Sequence, residues 1–242
     1  LYKAAMSLDG KTACHTGDSQ WISCEDSREE VHVLRGCYKG IMVGAGTILA
    51  DNPQLTARTE GMIDPVRIIV DGKLSVPLKA KVFQEEGENI ILTTTASDEG
   101  KRKALSDMGV DIIMTDGEEK GSVDLEAAMT GLALKGIDSI LLEGGATLAA
   151  SAFDAGIVDK VRIYTAPMII GGVSAPGLIG GEGAPTIPKA IRLRDIQTQM
   201  TGKDLVIEAY VEKEAKEEKA ESTRPTDVDL LKREEEPCSQ GS

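Results

Sequence analysis

Short apolar runs recur along the chain and alternate with segments whose apolar residues are spaced three and four apart. The runs are typical of buried β-strands, and the spacing is typical of amphipathic helices. Strands alternating with helices predict an α/β fold, with a mostly parallel sheet and flanking helices. The predicted strands are 2–6, 40–43, 66–70, 89–92, 110–114, 139–142, 160–165 and 205–211, and the predicted helices are 27–36, 98–108, 125–134 and 146–155.

Three further expectations concern the ends of elements. Ser23 and Asp26 resemble a capping box just ahead of the first helix. The run 205–211 alternates apolar and polar residues after a Gly- and Pro-rich stretch, which predicts an antiparallel edge strand. Segment 212–242 is acidic and almost devoid of apolar residues, so it is predicted to be a disordered tail behind a folded domain, 1–211.

Charge and composition exclude several classes of protein. A net charge of −13 argues against general nucleic-acid binding, which needs a basic surface. No apolar run is long enough to span a membrane and no signal peptide is visible, so the cytoplasm is expected. Four cysteines without C-x-x-C spacing and two histidines predict no metal site. The chain starts at Leu1, not Met, and a predicted strand follows directly, so a longer natural sequence is expected.

Segment 41–58 carries the first sign of a binding site. An apolar run ends in Gly44 and Gly46, and a polar loop with Thr47, Asp51 and Arg58 follows. Glycines allow a ligand to approach the backbone closely. Because a plain core strand does not need such a loop, the segment predicts a site for a polar, phosphorylated small molecule.

Segment 141–151, LLEGGATLAAS, carries the second sign. A predicted strand ends at Glu143, two glycines turn the chain, and a helix begins. The N–H groups at a helix start suit a phosphate, although glycines at this point can also serve only a tight turn. Glu143 favours a ligand site, since α/β sheets bind ligands at the carboxyl ends of their parallel strands.

Single side chains give weaker indications of a ligand-binding site. Arg35 and Arg58 suit bidentate phosphate binding if both point into one cleft, and are otherwise solvated. Trp21 can stack on a flat ring or cover a core edge, and the residues alone favour the core edge. The chain lacks a nucleophile elbow, a P-loop and an H-E-x-x-H motif. This favours a cofactor that brings its own chemistry, as in hydride transfer.

Seven segments occur in a fixed order: KAAMSLDGKTA, TGDSQWIS, VHVLR, VGAGTILADNPQLTAR, PVRIIVDG, LLEGGATLAAS and APMIIGG. Over roughly residues 1–211 the chain resembles the reductase domain of bacterial bifunctional riboflavin-biosynthesis deaminase–reductases. The resemblance implies a dihydrofolate-reductase-like fold, a homodimer and an N-terminal deaminase domain in the full-length protein. It also implies NADPH-dependent reduction of 5-amino-6-(5-phosphoribosylamino)uracil to the ribitylamino product. The deaminase signatures H-x-E and P-C-x-x-C are absent, so no deaminase activity is expected of this chain.

The resemblance also implies roles for individual residues. Lys3 and Glu143 would be catalytic, Lys3 by donating a proton to, or polarising, the opened sugar at C1′, although a lysine at a strand end is more often only a solvated charge. Arg35 and Arg58 would clamp the ribose phosphate. Lys101, Arg102 and Lys103 are candidates for the 2′-phosphate of NADPH, or else form an exposed helix face. The substrate-binding residues would be Ser19, Arg35, Leu55, Arg58 and Glu143, and the cofactor-binding residues Met6, Trp21, Thr47, Asp51, Gly145, Ala146, Thr147, Leu148, Ala149, Ala150 and Ser151.

Two alternatives remain open at this point. One is a related NADPH reductase of the same fold that acts on a pterin, against which a phosphate clamp of Arg35 and Arg58 argues. The other is a regulatory domain that has kept the fold without catalysis. The joint presence of Asp51, Glu143 and the glycine pair argues against it, whereas the acidic tail favours it.

Overall fold

Nine strands, of which seven are adjacent and mutually parallel, form a single sheet in a computed structural model that describes residues 1–213. The sheet order is β5-β4-β3-β2-β6-β1-β7-β9-β8, in which β9 runs antiparallel to β7 and β8 antiparallel to β9. This confirms the predicted α/β class with an antiparallel edge. The strands are β1 (Tyr2–Ser7), β2 (Gly40–Gly44), β3 (Val66–Val70), β4 (Asn89–Thr93), β5 (Asp111–Met114), β6 (Ile140–Leu142), β7 (Lys160–Ala166), β8 (Leu193–Thr201) and β9 (Asp204–Val211).

Helices cover both faces of the sheet. They are α1 (Glu25–Cys37), α2 (Ala45–Asp51), α3 (Glu99–Asp107), α4 (Leu125–Leu134) and α5 (Ala146–Asp154), with short 3₁₀ turns at Lys81–Phe83 and Ile187–Lys189. Alternate residues of β2 separate the two sides of the core. Met42 packs with α4 and α5, whereas Ile41 and Val43 pack with α2 and α3. Helix α1 lies on the second face, where Val31 contacts Tyr164.

Two elements differ from the expectation from sequence. The loop expected after Gly44 begins as a helix, α2, whose Ile48 is buried in the core. Strand β8 was not predicted because its residues up to Met200 are all exposed, so burial imposes no apolar pattern on them. The predicted tail, 212–242, lies outside the described residues except for its first two.

The start of α1 also corrects a prediction. Cys24 is the N-cap residue and its side chain makes no capping hydrogen bond, so the capping box of Ser23 and Asp26 is wrong. Asp204, fully buried at the start of β9, accepts hydrogen bonds from the Cys24 N–H and the Ser27 hydroxyl, each at 2.7 Å. A carboxylate at a helix N-terminus is stabilising, so the β8–β9 hairpin supplies the cap. None of the helices between residues 1 and 213 has the length and hydropathy needed to cross a membrane.

Candidate active site

The strand register brings Lys3 and Glu143 together. Tyr2 of β1 pairs with Leu142 of the parallel neighbour β6, so the next residue of each strand lies on the opposite face at the same level. These residues are Lys3 and Glu143, and Lys3 Nζ lies 3.7 Å from Glu143 Oε2. They therefore share the sheet face on which α1 lies.

Helix α1 adds Arg35 to this pair. Arg35 Nε donates to Glu143 Oε1 at 2.8 Å and Nη2 donates to Oε2 at 3.0 Å, a bidentate contact of the strong, charge-assisted kind. The side chains are 16% exposed for Lys3, 12% for Glu143 and 14% for Arg35. These three residues, the charged triad, form a nearly buried ionic group at the carboxyl end of β6.

Burial and charge act in opposite directions within the charged triad. Burial alone would raise the pKa of Glu143, but the adjacent Lys3 and Arg35 charges hold it at about 2. Burial lowers the pKa of Lys3, and the Glu143 carboxylate opposes that effect without cancelling it. Glu143 is therefore ionised at neutral pH, while Lys3 gives up its proton more readily than an exposed lysine does, as a proton-transferring group requires.

Thr56 joins Arg35 to Arg58. The Thr56 carbonyl accepts a hydrogen bond from Arg35 Nη1 at 3.1 Å, and its hydroxyl accepts one from Arg58 Nε at 3.3 Å. His32, which the sequence reading did not single out, places Nδ1 3.4 Å from the same carbonyl. These residues, His32, Arg35, Thr56 and Arg58, form the Thr56 cluster. The two arginines predicted to share a ligand thus meet around one residue.

The loop that carries Thr56 has an unusual backbone. Asn52, Leu55 and Arg58 have φ values of 42°, 61° and 56°, in the left-handed region that residues other than glycine rarely adopt. Such strain concentrates at functional sites and persists only where contacts hold it. One such contact is the Asp64 carboxylate, which accepts the Ala57 N–H at 2.7 Å. The strain supports the prediction of a binding site in this loop.

The burial of Leu55 limits how this residue can contact the substrate. Its side chain is 3% exposed and packs with Ile41 and Val43 in the core. It therefore anchors the strained loop and can reach a ligand only through its backbone. Ser19, the other uncharged residue expected there, is partly exposed in the loop before α1.

Gly144 and Gly145, the glycine pair before α5, have different surroundings. A Cβ on Gly144 would lie 3.1 to 3.2 Å from Leu148 side-chain atoms, a tight contact, so packing favours glycine at this position. A Cβ on Gly145 would have no neighbour nearer than Thr47 Oγ1, at 3.9 Å. Gly145 is the N-cap of α5 and no side chain caps this helix. The two explanations of the pair, close packing and room for a ligand, thus apply to different residues.

The start of α5 limits which residues of the predicted phosphate-binding turn can contact an anion. The first bond within α5 is the Ala149 N–H to the Gly145 carbonyl, at 3.1 Å. The N–H groups of the residues before Ala149 lie in the first turn, where a helix has no acceptor of its own for them. Leu148, Ala149 and Ala150 have side chains buried in the core, and the Ser151 hydroxyl donates to the Thr147 carbonyl. The turn that can meet an anion is Gly145 to Leu148, by its backbone.

The remaining cofactor candidates differ in how exposed they are. Met6 packs against the core that includes α5, and Asp51 is exposed at the end of α2. Trp21 is 65% exposed, with the Arg28 guanidinium 4.6 Å from its ring centre, so the prediction that it covers a core edge is wrong.

The three cations considered for a 2′-phosphate differ in their contacts. Lys101 donates to the Leu74 carbonyl, and Arg102 donates to Ser97, including its hydroxyl at 2.9 Å. Lys103 is exposed. Across residues 1–213 the structure contains no group of three or more His, Cys, Asp or Glu that could hold a metal ion.

Comparison with known proteins gives a family. The family described as the RibD C-terminal domain matches residues 1–207. The chain is 39% identical over 212 residues to the riboflavin biosynthesis protein RibD of Actinobacillus pleuropneumoniae, covering 87% of this chain and 56% of that protein. It is 37% identical over 214 residues to the 2,5-diamino-6-ribosylamino-4(3H)-pyrimidinone 5′-phosphate reductase of Methanothermobacter thermautotrophicus, covering 87% of this chain and 97% of that protein.

A solved structure agrees in fold. The deaminase/5-amino-6-(5-phosphoribosylamino)uracil reductase of Thermotoga maritima matches with a TM-score of 0.69 and 30% sequence identity, over 87% of this chain and 55% of that one. The chain thus spans little more than half the length of the bifunctional proteins that it resembles. The fold is the dihydrofolate-reductase-like α/β arrangement.

Proposed function

Because this chain belongs to the RibD C-terminal domain family, we propose that it reduces 5-amino-6-(5-phosphoribosylamino)uracil to the ribitylamino product. The observation that carries the proposal is the continuity of the charged triad with the Thr56 cluster through Arg35. One end of this arrangement offers a proton-transferring lysine, and the other offers two guanidinium groups. A substrate whose sugar is reduced at its first carbon and carries a phosphate on its fifth carbon has matching groups at its two ends.

The phosphate would bind at the Thr56 cluster. Arg35 and Arg58 are held near one another by Thr56, and guanidinium groups match phosphate oxygens in geometry and charge. A pterin has no phosphate for such a pair, so the cluster favours the phosphoribosyl substrate over the pterin alternative. The charged triad, in which burial and ionic contacts perturb the pKa of Glu143 and of Lys3, favours catalysis over a purely regulatory domain.

The cofactor would bind across the start of α5. The backbone N–H groups of the first turn and the open space at Gly145 fit a pyrophosphate, which needs close approach to the chain. We propose NADPH, with Lys103 near the 2′-phosphate, because Lys101 and Arg102 already contact neighbouring loops. The reduced nicotinamide supplies a hydride when it is bound.

The residues of this chain would position and protonate the opened sugar. Glu143 lies where it can accept hydrogen bonds from sugar hydroxyls, and its ion pair with Arg35 fixes its orientation. Lys3 Nζ can donate its proton to the sugar oxygen or nitrogen that gains electron density as C1′ is reduced. The polar loop of residues 52–58 and the α5 turn would orient the two ligands so that C1′ meets the hydride donor.

The test measures oxidation of the cofactor by the full chain. We expect absorbance of the reduced nicotinamide to fall when the phosphoribosylaminouracil is added, and to fall faster with NADPH than with NADH. The 2,5-diamino pyrimidinone named for the archaeal relative serves as a second substrate, and dihydrofolate as a contrasting one. A folded protein that consumes no cofactor with either ribosyl phosphate would refute the proposal.

Association of two copies is proposed with the activity. Strand β8 is the sheet edge and exposes large apolar side chains, among them Ile196 and Met200, each 62% exposed. A sheet edge with unpaired backbone groups and some exposed apolar side chains can pair with another chain, so a homodimer through β8 is expected. Analytical ultracentrifugation of wild type and Met200→Glu tests this, and a monomeric wild type contradicts it.

Cellular context is proposed from the chemistry alone. The cytoplasm is the expected compartment, since a phosphorylated substrate does not cross membranes unaided. A deaminase domain would accompany this one in the full-length protein, because bifunctional relatives are nearly twice as long as the matched region. Fractionation of cells and the mass of the native polypeptide check these two points.

A further inference from the structure

His32 belongs to the Thr56 cluster but has no part in the reaction outlined above. It lies on α1 three residues before Arg35, a spacing that places both side chains on one side of the helix. Both reach the Thr56 carbonyl, His32 through Nδ1 at 3.4 Å and Arg35 through Nη1 at 3.1 Å. The imidazole therefore lies beside the proposed phosphate position.

The contact with Thr56 sets the tautomer of His32. A carbonyl oxygen only accepts hydrogen bonds, so Nδ1 must carry the hydrogen. In the neutral imidazole Nε2 is then an acceptor, and it becomes a donor only when the ring takes up a second proton. Within residues 1–213 no protein group forms a hydrogen bond with Nε2.

Charged groups reach His32 from three elements. Arg35 lies on the same helix, Arg58 on the loop opposite, and Glu143 at the end of β6. Burial and then Arg35 lower the pKa of His32, with Arg58 adding to this, while the Thr56 carbonyl and Glu143 oppose it. The free protein thus keeps the imidazole neutral at neutral pH. A phosphate dianion placed beside the two guanidinium groups would reverse the local field and favour the imidazolium.

We propose that His32 is a specificity-determining residue that takes up a proton from solvent when a phosphate monoester binds, and then donates a hydrogen bond from Nε2. The inference rests on the proposed function for the position of the phosphate. Protonation of His32 would give the site a preference for a dianionic phosphate monoester over a neutral sugar. This preference would depend on pH.

The experiment is calorimetric titration of the full chain with ribose 5-phosphate between pH 6.5 and 8. Each pH is measured in two buffers that differ in ionisation enthalpy, which reports the number of protons taken up. His32→Asn keeps an N–H near the position of Nδ1 but cannot titrate. His15→Asn, at an exposed histidine outside the cluster, is the matched control.

Wild type and His15→Asn are expected to take up more protons than His32→Asn at each pH. The gain in affinity from pH 8 to pH 6.5 should be greater in wild type, by about threefold to fourfold for a pKa rise of about one unit. The titration of the phosphate itself is common to all variants and cancels in this comparison.

Equal proton uptake in wild type and His32→Asn overturns the inference. So does a loss of affinity in His32→Asn that is uniform across pH, because that would be the effect of a residue that only holds the loop. Failure of wild type to bind ribose 5-phosphate overturns it as well. Histidine-linked binding in a chain that oxidises no NADPH would instead sustain the inference and refute the reductase activity.

Discussion

Replacement of Glu143 by glutamine tests the charged triad most directly. The substitution keeps the volume of the side chain but removes the charge that Lys3 and Arg35 share. Both cations would then remain nearly buried without a carboxylate partner, which is more costly than losing a neutral contact. We expect the Gln variant to fold but to be clearly less stable than wild type.

The magnitude follows from the pKa of Glu143. It lies at about 2 against an ordinary 4.5, and each pKa unit corresponds to about 1.4 kcal/mol. The ionised carboxylate is thus stabilised in the folded state by about 3 kcal/mol. Burial of Lys3 costs part of this gain, as the lowered pKa of that lysine indicates. The expected loss in the free energy of unfolding is therefore about 2 to 3 kcal/mol.

The pH dependence has a definite sign. Because the folded-state pKa of Glu143 is depressed, its contribution is present above the ordinary value of 4.5 and is lost as pH falls toward about 2. Urea unfolding of wild type and Glu143→Gln, followed by circular dichroism, should show a constant difference above about pH 5. That difference should shrink steadily at lower pH.

An exposed ion pair provides the control. Asp111 and Lys135 have side chains 58% and 38% exposed, and exposed pairs contribute at most about 1 kcal/mol. Asp111→Asn should therefore change stability much less than Glu143→Gln. If the two variants unfold at the same urea concentration, or if the difference between wild type and Glu143→Gln does not vary with pH, the electrostatic reasoning is refuted.

Four further substitutions test which residues of the site bind the cofactor, bind the phosphate and transfer the proton. Gly145→Val should weaken NADPH binding by at least about tenfold with little change in Tm. Gly144→Val should instead lower Tm, because the new valine side chain would crowd Leu148. If fluorescence titration shows unaltered NADPH affinity in Gly145→Val, Gly145 is not part of the cofactor site. Arg58→Ala should raise KM for the phosphorylated substrate by about tenfold or more, and an effect confined to NADPH affinity would contradict that assignment. Lys3→Met should lower kcat by about 10²-fold or more with KM little changed; steady-state assays that find kcat intact exclude Lys3 as the proton donor.

Most of the sheet could be predicted because its strands are buried on both faces. Such strands appear in the sequence as unbroken apolar runs, as in the IMV of β2 and the IIV of β3. Strand β8 could not be predicted in the same way, since its conformation depends on pairing with β9 and not on burial. The cap of α1 was beyond local reasoning as well, because Asp204 lies 180 residues after Cys24.

The site was predicted residue by residue but not as an arrangement. Arg35 and Glu143 each carried a signal, from charge and from position at a strand end, yet nothing local indicated that they form a bidentate pair. That contact depends on where α1 crosses the carboxyl end of β6. His32 could have been found, since helical spacing alone places it beside Arg35.

The pairing of Arg35 with Glu143 leaves the phosphate clamp possible, as a count of donors shows. A guanidinium has five N–H groups. Arg35 uses one at Nε and one at Nη2 for Glu143 and one at Nη1 for Thr56, which leaves two without a partner in residues 1–213. Arg58 uses one at Nε for Thr56 and one at Nη2 for Gln54. Both guanidinium groups are thus already oriented before a ligand arrives and still have donors to offer. Since less side-chain freedom is then lost on binding, the ion pair and the Thr56 contacts strengthen a phosphate site and do not compete with it.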